Sequence, residues 1–401
     1  MENVTFLLSK DCMSCESLPI YGNKYWKTPN IDELANKGTV FRRHYAAGGS
    51  TSMSLSAMLS GHYPYEFKSR KRYVNVIPNE FPSIYETFQN RGYECHLIWD
   101  VTWQDETWDL VREFGREKEV VVHSIDIAQP AGFHKSNTAR LERSDALLEK
   151  TYKLIYDSLN SIDLSKKQFI WMHLPHVLKG RRSYMDDMDV FDDIVGYARK
   201  LVGDDSIYIT TDHGHMNMHK GHVGYGFHVY EPVAKIPLIT PRIDGLCEVW
   251  NITSNIDIPE LLTEGRIPKH KYVLDDTTYY AQPNRVLGVI EDRFKYIYNK
   301  QDKTEELYDL EWDPEENYNI VKEHYFDKDR QTDVIYDELY FYPYKQEAQE
   351  ALERLRKIKN SVWKEPDWFY GKYVWLRSKV NKMKKRIRRL KIGQIEEHIL
   401  F

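Results

Sequence analysis

The chain has 401 residues, 41% hydrophobic and 13% aromatic, which excludes a disordered polymer and allows a core of roughly two structural units. Its net charge of -5 gives no overall pull toward nucleic acid, and no window approaches the roughly 20 apolar residues of a membrane span. Four cysteines (Cys12, Cys15, Cys95 and Cys247) are too few for a disulfide framework in a chain this long.

The first predicted element is a buried strand, "NVTFLLS", with the carboxylate of Asp11 just past its end. The N-terminus lacks a basic n-region, so the expected location is cytoplasmic. Cys12-x-x-Cys15 follows; no second Cys or His pair stands at zinc-finger spacing, and the two read as reduced thiols. In "TPNIDELANKG", Thr28 or Asn30 would cap a short helix that Gly38 ends. "AAGGSTSMSLSAMLSGHYP" puts Ser50, Thr51, Ser52, Ser54 and Ser56 where Leu55, Met58 and Leu59 give helical spacing. Those hydroxyls are either caps or include a nucleophile.

"FPSIYETFQNRGYECHLIWD" reads as a helix, a stop at Gly92 and a strand. "KKQFIWMHLPH" is another strand, and "MDVFDDIVGYARKLVGDDSIYITTDHGH" a helix, a turn and a strand. "AKIPLIT" adds one more strand. The alternation implies an α/β fold: a mostly parallel central sheet with helices on both faces. Chemistry in such sheets collects beyond the C-terminal strand edges, where Asp11, His173, His176, Asp212 and His213 all fall. From about 270 the pattern alternates in β fashion with turn signals, which reads as a small antiparallel sheet. The segment 331–401 reads as helical and charged. The predicted division is therefore 1–268 for the catalytic domain, 269–330 for a β subdomain and 331–401 for a helical, basic tail.

Ile209 to Pro232 holds Asp212, His213, His215, His219, His222 and His228, five of the chain's 15 histidines. Imidazole and carboxylate together suit zinc, manganese or a similar divalent ion. Asp11 would add a carboxylate and the hydroxyl stretch an oxygen. A metal-held hydroxyl is more acidic and a better nucleophile, which suits phosphoryl or sulfuryl transfer.

These pieces resemble the sulfatase family of the alkaline-phosphatase superfamily. "NVTFLLSKD", "TPNIDELANKGTVF", "LSGHYP", "DDIVGYARKL…IYITTDHG", "YEPVAKIPLI" and "FKYIY…EELYDLEWDPEENYNI" match its segments in order over about 3–325. At the position where the family carries the Cys or Ser that becomes formylglycine stands Thr51. The Pro and Arg of that motif are replaced by Met53 and Leu55. The resemblance is thus to the Thr-nucleophile branch, the phosphoethanolamine and phosphoglycerol transferases and the phosphodiesterases.

That resemblance implies Thr51 as nucleophile and Asp11, Thr51, Asp212 and His213 as ligands of a divalent metal, zinc or manganese ahead of calcium or magnesium. It implies His176, His222 and His228 as substrate or leaving-group contacts. Ser50 and Ser52 flank Thr51 as alternatives. The expected activity is a phosphotransferase or phosphodiesterase acting on phosphate esters, including a glycan or glycolipid precursor. A sulfuric ester hydrolase, a plain phosphatase and a non-catalytic binding protein are the alternatives.

Between Lys372 and Lys391 the tail carries ten Lys or Arg and no acid. Trp375, Leu376, Val380, Met383, Ile387 and Leu390 lie on one helical face. That amphipathic pattern suits an anionic membrane surface, here the inner face of the membrane, or a solvated helix on the catalytic domain. No nucleic acid is expected as partner.

Overall fold

A computed structural model describes residues 3–66, 77, 80–100, 119–125, 142–175, 188–277, 285–321, 324–327, 332–335 and 342–363. His176 and the basic stretch 372–391 lie outside the described residues.

In chain order the N-terminal part begins with β1 (Val4–Lys10), α1 (Pro29–Lys37), β2 (Thr39–Phe41), β3 (His44–Tyr45) and α2 (Thr51–Ser60). It continues through α3 (Ile84–Gln89), β4 (Glu94–Asp100), β5 (Val121–Ile125), α4 (Glu142–Asn160), β6 (Gln168–Leu174), α5 (Met188–Val202) and β7 (Ile207–Thr210). β8 (Leu238–Thr240), β9 (Glu248–Val249), β10 (Thr253–Ser254) and α6 (Ile258–Glu264) complete it. The central sheet has eight strands in the order β5-β4-β6-β1-β7-β8-β2-β9. β5, β4, β6, β1 and β7 run parallel, as the sequence implies. β8 runs antiparallel to both β7 and β2, so "AKIPLIT" is a short reversed strand.

β1 shows why the layers form. Phe6 and Leu8 point to a core shared with α1, α4 and α5, while Leu7 points to one shared with α2, α3 and α6. Strand side chains alternate faces, so a strand apolar at every position must be covered on both.

The α1 start differs from the expectation. Neither Thr28 nor Asn30 caps it; Thr28 stands at the cap position without a side-chain cap bond. Instead Asp192 of α5 accepts from the backbone N–H groups of Asn30 and Ile31 at 3.2 and 2.9 Å. α3 begins with a capping box between Ser83 and Glu86.

The C-terminal part holds an antiparallel sheet, β11 (Tyr272–Asp276), β12 (Val286–Glu291), β13 (Phe294–Asn299) and β14 (Thr304–Asp309). A three-stranded sheet follows: β15 (Tyr318–Asn319), β16 (His324–Asp327) and β17 (Thr332–Ile335). The strand at 332–335 departs from the all-helical reading of the tail; its Thr and Val favour an extended chain paired with β16. α7 (Lys345–Val362) then buries Ala348, Ala351 and Leu355 with residues of the antiparallel sheet.

One face of that sheet meets the N-terminal part through a buried charge cluster. Lys295 Nζ lies 2.9 Å from both Glu231 and Glu316. Burial pushes the Glu316 carboxyl up to about 7, against the opposing pull of Lys295. Among the described residues, no helix is long and apolar enough to cross a membrane.

Candidate functional site

The site forms where β1 and β7 end side by side. Their parallel register pairs Ser9 with Thr210, so Asp11 and Asp212 leave the sheet together. Thr211 ties the two ends: its Oγ1 lies 2.5 Å from the Lys10 carbonyl and accepts from the Met13 N–H at 3.2 Å. Ser14 Oγ donates to the Pro232 carbonyl at 2.8 Å and accepts from the His215 N–H at 3.0 Å.

His213 is the centre of the cluster. Its Nδ1 lies 2.9 Å from the Gly214 carbonyl, which can only accept, so Nδ1 carries the proton and Nε2 presents a lone pair. That Nε2 faces Thr51 Oγ1 at 3.2 Å, Asp212 Oδ2 at 3.4 Å and Asp11 Oδ1 at 3.7 Å. Asp11, Thr51, Asp212 and His213 are all buried. The four residues singled out from the sequence as a metal set therefore converge at one point.

The donor chemistry fits a cation. Asp212 Oδ1 accepts from the backbone N–H groups of His213 and Cys12 at 2.9 and 3.3 Å. Asp212 Oδ2 is buried and accepts no hydrogen bond among the described residues. Two buried carboxylates side by side are costly without an opposing charge, and a divalent ion supplies one. Asp11, Cys12 and His213 offer donor atoms within 4.8 Å of one another.

α2 delivers Thr51. Ser50 is its N-cap residue but makes no side-chain cap bond, and Thr51 is the first helical residue, so the capping role is not Thr51's. Three further hydroxyls are turned to the backbone: Ser54 Oγ donates to Gly48, Ser56 Oγ to Met53 and Ser60 Oγ to Ser56, while Ser50 Oγ is buried with no hydrogen bond among the described residues. All ten α2 residues are buried. The free N–H groups of a helix start favour an anion beside Thr51.

The loop after His213 separates the remaining histidines. His222 and His228 pack with ring centroids 4.0 Å apart and their planes tilted by 33°, His222 exposed and His228 half-buried. Burial, with the neighbouring His222, pushes His228 down to about 4, so it is neutral at neutral pH. The loop crosses the start of α2: a Cβ on Gly49 would stand 3.3 Å from the His228 carbonyl oxygen. His215 instead bonds Asn217, and His219 leans toward Glu316 at 3.9 Å.

Gly214 makes a second close approach. A Cβ there would lie 2.0 Å from the Pro232 carbonyl oxygen, and its N–H donates to Val233.

Of the other neighbours, sequence reasoning placed His173 at this edge but missed Asn255 and Lys10. His173 is buried, bonds Ser9 Oγ at 2.8 Å and stacks on Trp99. Asn255 Nδ2 donates to the Asp212 carbonyl at 2.7 Å, and its Oδ1 lies 3.2 Å from His44 Nε2. Lys10 is wholly buried. Only His173, at the end of a predicted strand, carried a signal; Asn255 opens a short 3-10 turn whose Ser254–Asp257 capping box says nothing of a site.

A family model described as Sulfatase matches residues 2–235. Human "Arylsulfatase H" is 30% identical over 107 residues, covering 24% of this chain and 19% of that protein. "N-acetylglucosamine-6-O-sulfatase" of Bacteroides thetaiotaomicron is 28% identical over 98 residues, covering 24% and 17%. The chain thus spans about a fifth of the length of these curated relatives. Among solved structures, a 2-O GAG sulfatase superposes with a TM-score of 0.65 at 16% identity, covering 90% of this chain and 92% of that one. The phosphonate monoester hydrolase of Agrobacterium radiobacter gives 0.59 at 14% identity, covering 90% and 96%.

Proposed function

The chain belongs to the sulfatase family, and from that premise we propose that it is a metal-dependent hydrolase of sulfate esters or of closely related anionic esters, with Thr51 as its nucleophile. The observation that carries this reading is the placement of Thr51 Oγ1 3.2 Å from His213 Nε2, within a buried cluster of carboxylates.

Asp11, Asp212, His213 and Thr51 would hold the ion. When bound, it would make the Thr51 hydroxyl more acidic and draw charge from a substrate oxygen. Thr51 Oγ would attack sulfur or phosphorus in line with the bond to the alcohol oxygen, which breaks; the hydroxyl proton passes to solvent and the departing alkoxide takes one up from it. The start of α2 stabilises the anionic group next to Thr51. Neutral His228 donates a hydrogen bond to a substrate oxygen, with His222 beside it. His176 is assigned a substrate contact by resemblance alone.

A second reading, hydrolysis or transfer of a phosphate or phosphonate ester, is favoured by one residue. Oxidation of threonine at Cβ would give a ketone, so the aldehyde formed from Cys or Ser in formylglycine enzymes is closed to Thr51. A threonine ester of phosphate turns over by attack of water at phosphorus; a threonine sulfate, with no geminal hydroxyl to expel it, needs the harder attack of water at sulfur to release sulfate and restore the hydroxyl.

The test is turnover of chromogenic aryl sulfate, phosphate monoester, phosphate diester and phosphonate monoester by the full chain and by Thr51→Ala. Sulfate-ester turnover lost in Thr51→Ala supports the first reading, and phosphorus-ester turnover alone supports the second. Turnover of none of them, or full activity in Thr51→Ala, overturns the catalytic assignment of Thr51.

A further inference from the structure

The buried donor cluster includes one side chain that the predicted metal set omits. Cys12 directly follows Asp11 and is wholly buried. Its φ of +62° is in the left-handed region, uncommon for a residue with a side chain. That backbone aims the Cys12 N–H at Asp212 Oδ1, 3.3 Å away. It also brings Sγ to 3.9 Å from His213 Nδ1.

The Nδ1 proton is already committed to the Gly214 carbonyl at 2.9 Å, so the imidazole has no further proton to give Sγ. A thiol that coordinates a dication gives up its proton, so Sγ can act as a donor in this buried cluster. Independently, the buried Asp212 Oδ2 accepts no hydrogen bond among the described residues and faces the same imidazole at 3.4 Å.

Asp11, Cys12 and His213 already present donors within 4.8 Å of one another. Zinc bonds of about 2.0–2.3 Å in a tetrahedron place ligand atoms roughly 3.5 Å apart, a contraction of about an ångström.

We propose that Cys12 is a sulfur ligand of the metal centre, and that it biases the site toward thiophilic ions such as zinc over calcium or magnesium. The inference rests on the metal-centre reading above. On binding, the metal–sulfur bond replaces the S–H bond and the proton passes to solvent.

The experiment uses the full chain, stripped with chelator and loaded with cobalt(II), with bound metal measured by elemental analysis. The expected result is one cobalt per chain and a near-ultraviolet thiolate-to-cobalt charge-transfer band. The band should be lost in Cys12→Ser and kept in Cys247→Ser, whose thiol is exposed. Cys12→Asp should retain metal but exchange its preference for zinc over magnesium for the reverse.

Stoichiometric cobalt without the band in the unaltered chain overturns the role of Cys12 and leaves the metal centre standing. A band that survives in Cys12→Ser does the same. Failure of the unaltered chain to bind cobalt or zinc overturns both. Should Cys12→Ser not fold, the unaltered chain's spectrum and Cys12→Asp still decide.

Discussion

Asn255 Nδ2 donates to the main-chain carbonyl of Asp212 at 2.7 Å, so a side chain 43 residues away fixes the peptide that joins Asp212 to His213. Its Oδ1 takes the proton of His44 Nε2, and His44 Nδ1 bonds Thr253 Oγ1 at 2.9 Å. Asn255→Ala leaves a buried carbonyl and a buried imidazole N–H unsatisfied. The expected cost is about 1–3 kcal/mol of stability for each such group. Metal affinity should fall by about 10- to 100-fold, as for other partners that orient ligands from behind. Urea unfolding and metal titration measure the two effects; unchanged metal affinity would refute the orienting role.

Thr51→Ala should lower kcat/KM by at least about 1,000-fold. Its stability should stay within about 1 kcal/mol, because the hydroxyl makes no cap bond that the helix needs. Thr51→Ser keeps the oxygen and should retain measurable turnover. Steady-state kinetics and thermal melts on the three proteins give the comparison.

Chelation should lower the melting temperature, because the buried carboxylates of Asp11 and Asp212 lose their opposing charge. Readdition of zinc restores it in proportion to RT ln(1 + [L]/Kd), about 2.7 kcal/mol at one hundred times Kd. A melting temperature indifferent to chelator and zinc would argue against a metal centre.

Acid should weaken the fold through His44. Burial pushes this imidazole down to about 3, so the folded protein holds it neutral. The unfolded chain takes up a proton below about pH 6.5. The contribution is therefore complete above pH 6.5 and is lost as pH falls toward 3. His44→Gln should show a shallower decline of melting temperature over that window. An unchanged slope would exclude His44 as its source.

The lysine between Glu231 and Glu316 should matter as much as any core residue. Lys295→Met leaves two buried carboxylates without their cation, at an expected cost of about 3–5 kcal/mol. Adding Glu316→Gln should recover part of it. A double variant no better than the single one would show that the charges are not coupled.

The sheet was legible because each strand carries its own signal. "NVTFLLS" and "KKQFIWMHLPH" are unbroken apolar runs, and Gly92 and Gly38 mark the turns. Asp11, Asp212 and His213 were legible because strand ends of a parallel sheet gather polar groups at one edge. β2 and β9, at three and two residues, are too short to show a period. The cap on α1 was misread because it comes from Asp192, a partner that exists only after packing. Asn255 gains its place through a distant contact and Cys12 through an unusual backbone angle, which neither the Ser254–Asp257 capping box nor the Cys12-x-x-Cys15 spacing signals.

Gly214 carries a consequence for reading variants of this protein. Any β-carbon there would strike the Pro232 carbonyl 2.0 Å away, and His213 is the preceding residue. A saturation screen scored on turnover would therefore rank Gly214 with the ligands, although it offers no functional group. Its intolerance is steric: a displaced backbone would swing the imidazole off target while the rest of the molecule stayed folded. Inactive clones at this position would keep their antibody epitopes and expression yield yet lose the ion, mimicking the loss of a ligand through a single misplaced carbon.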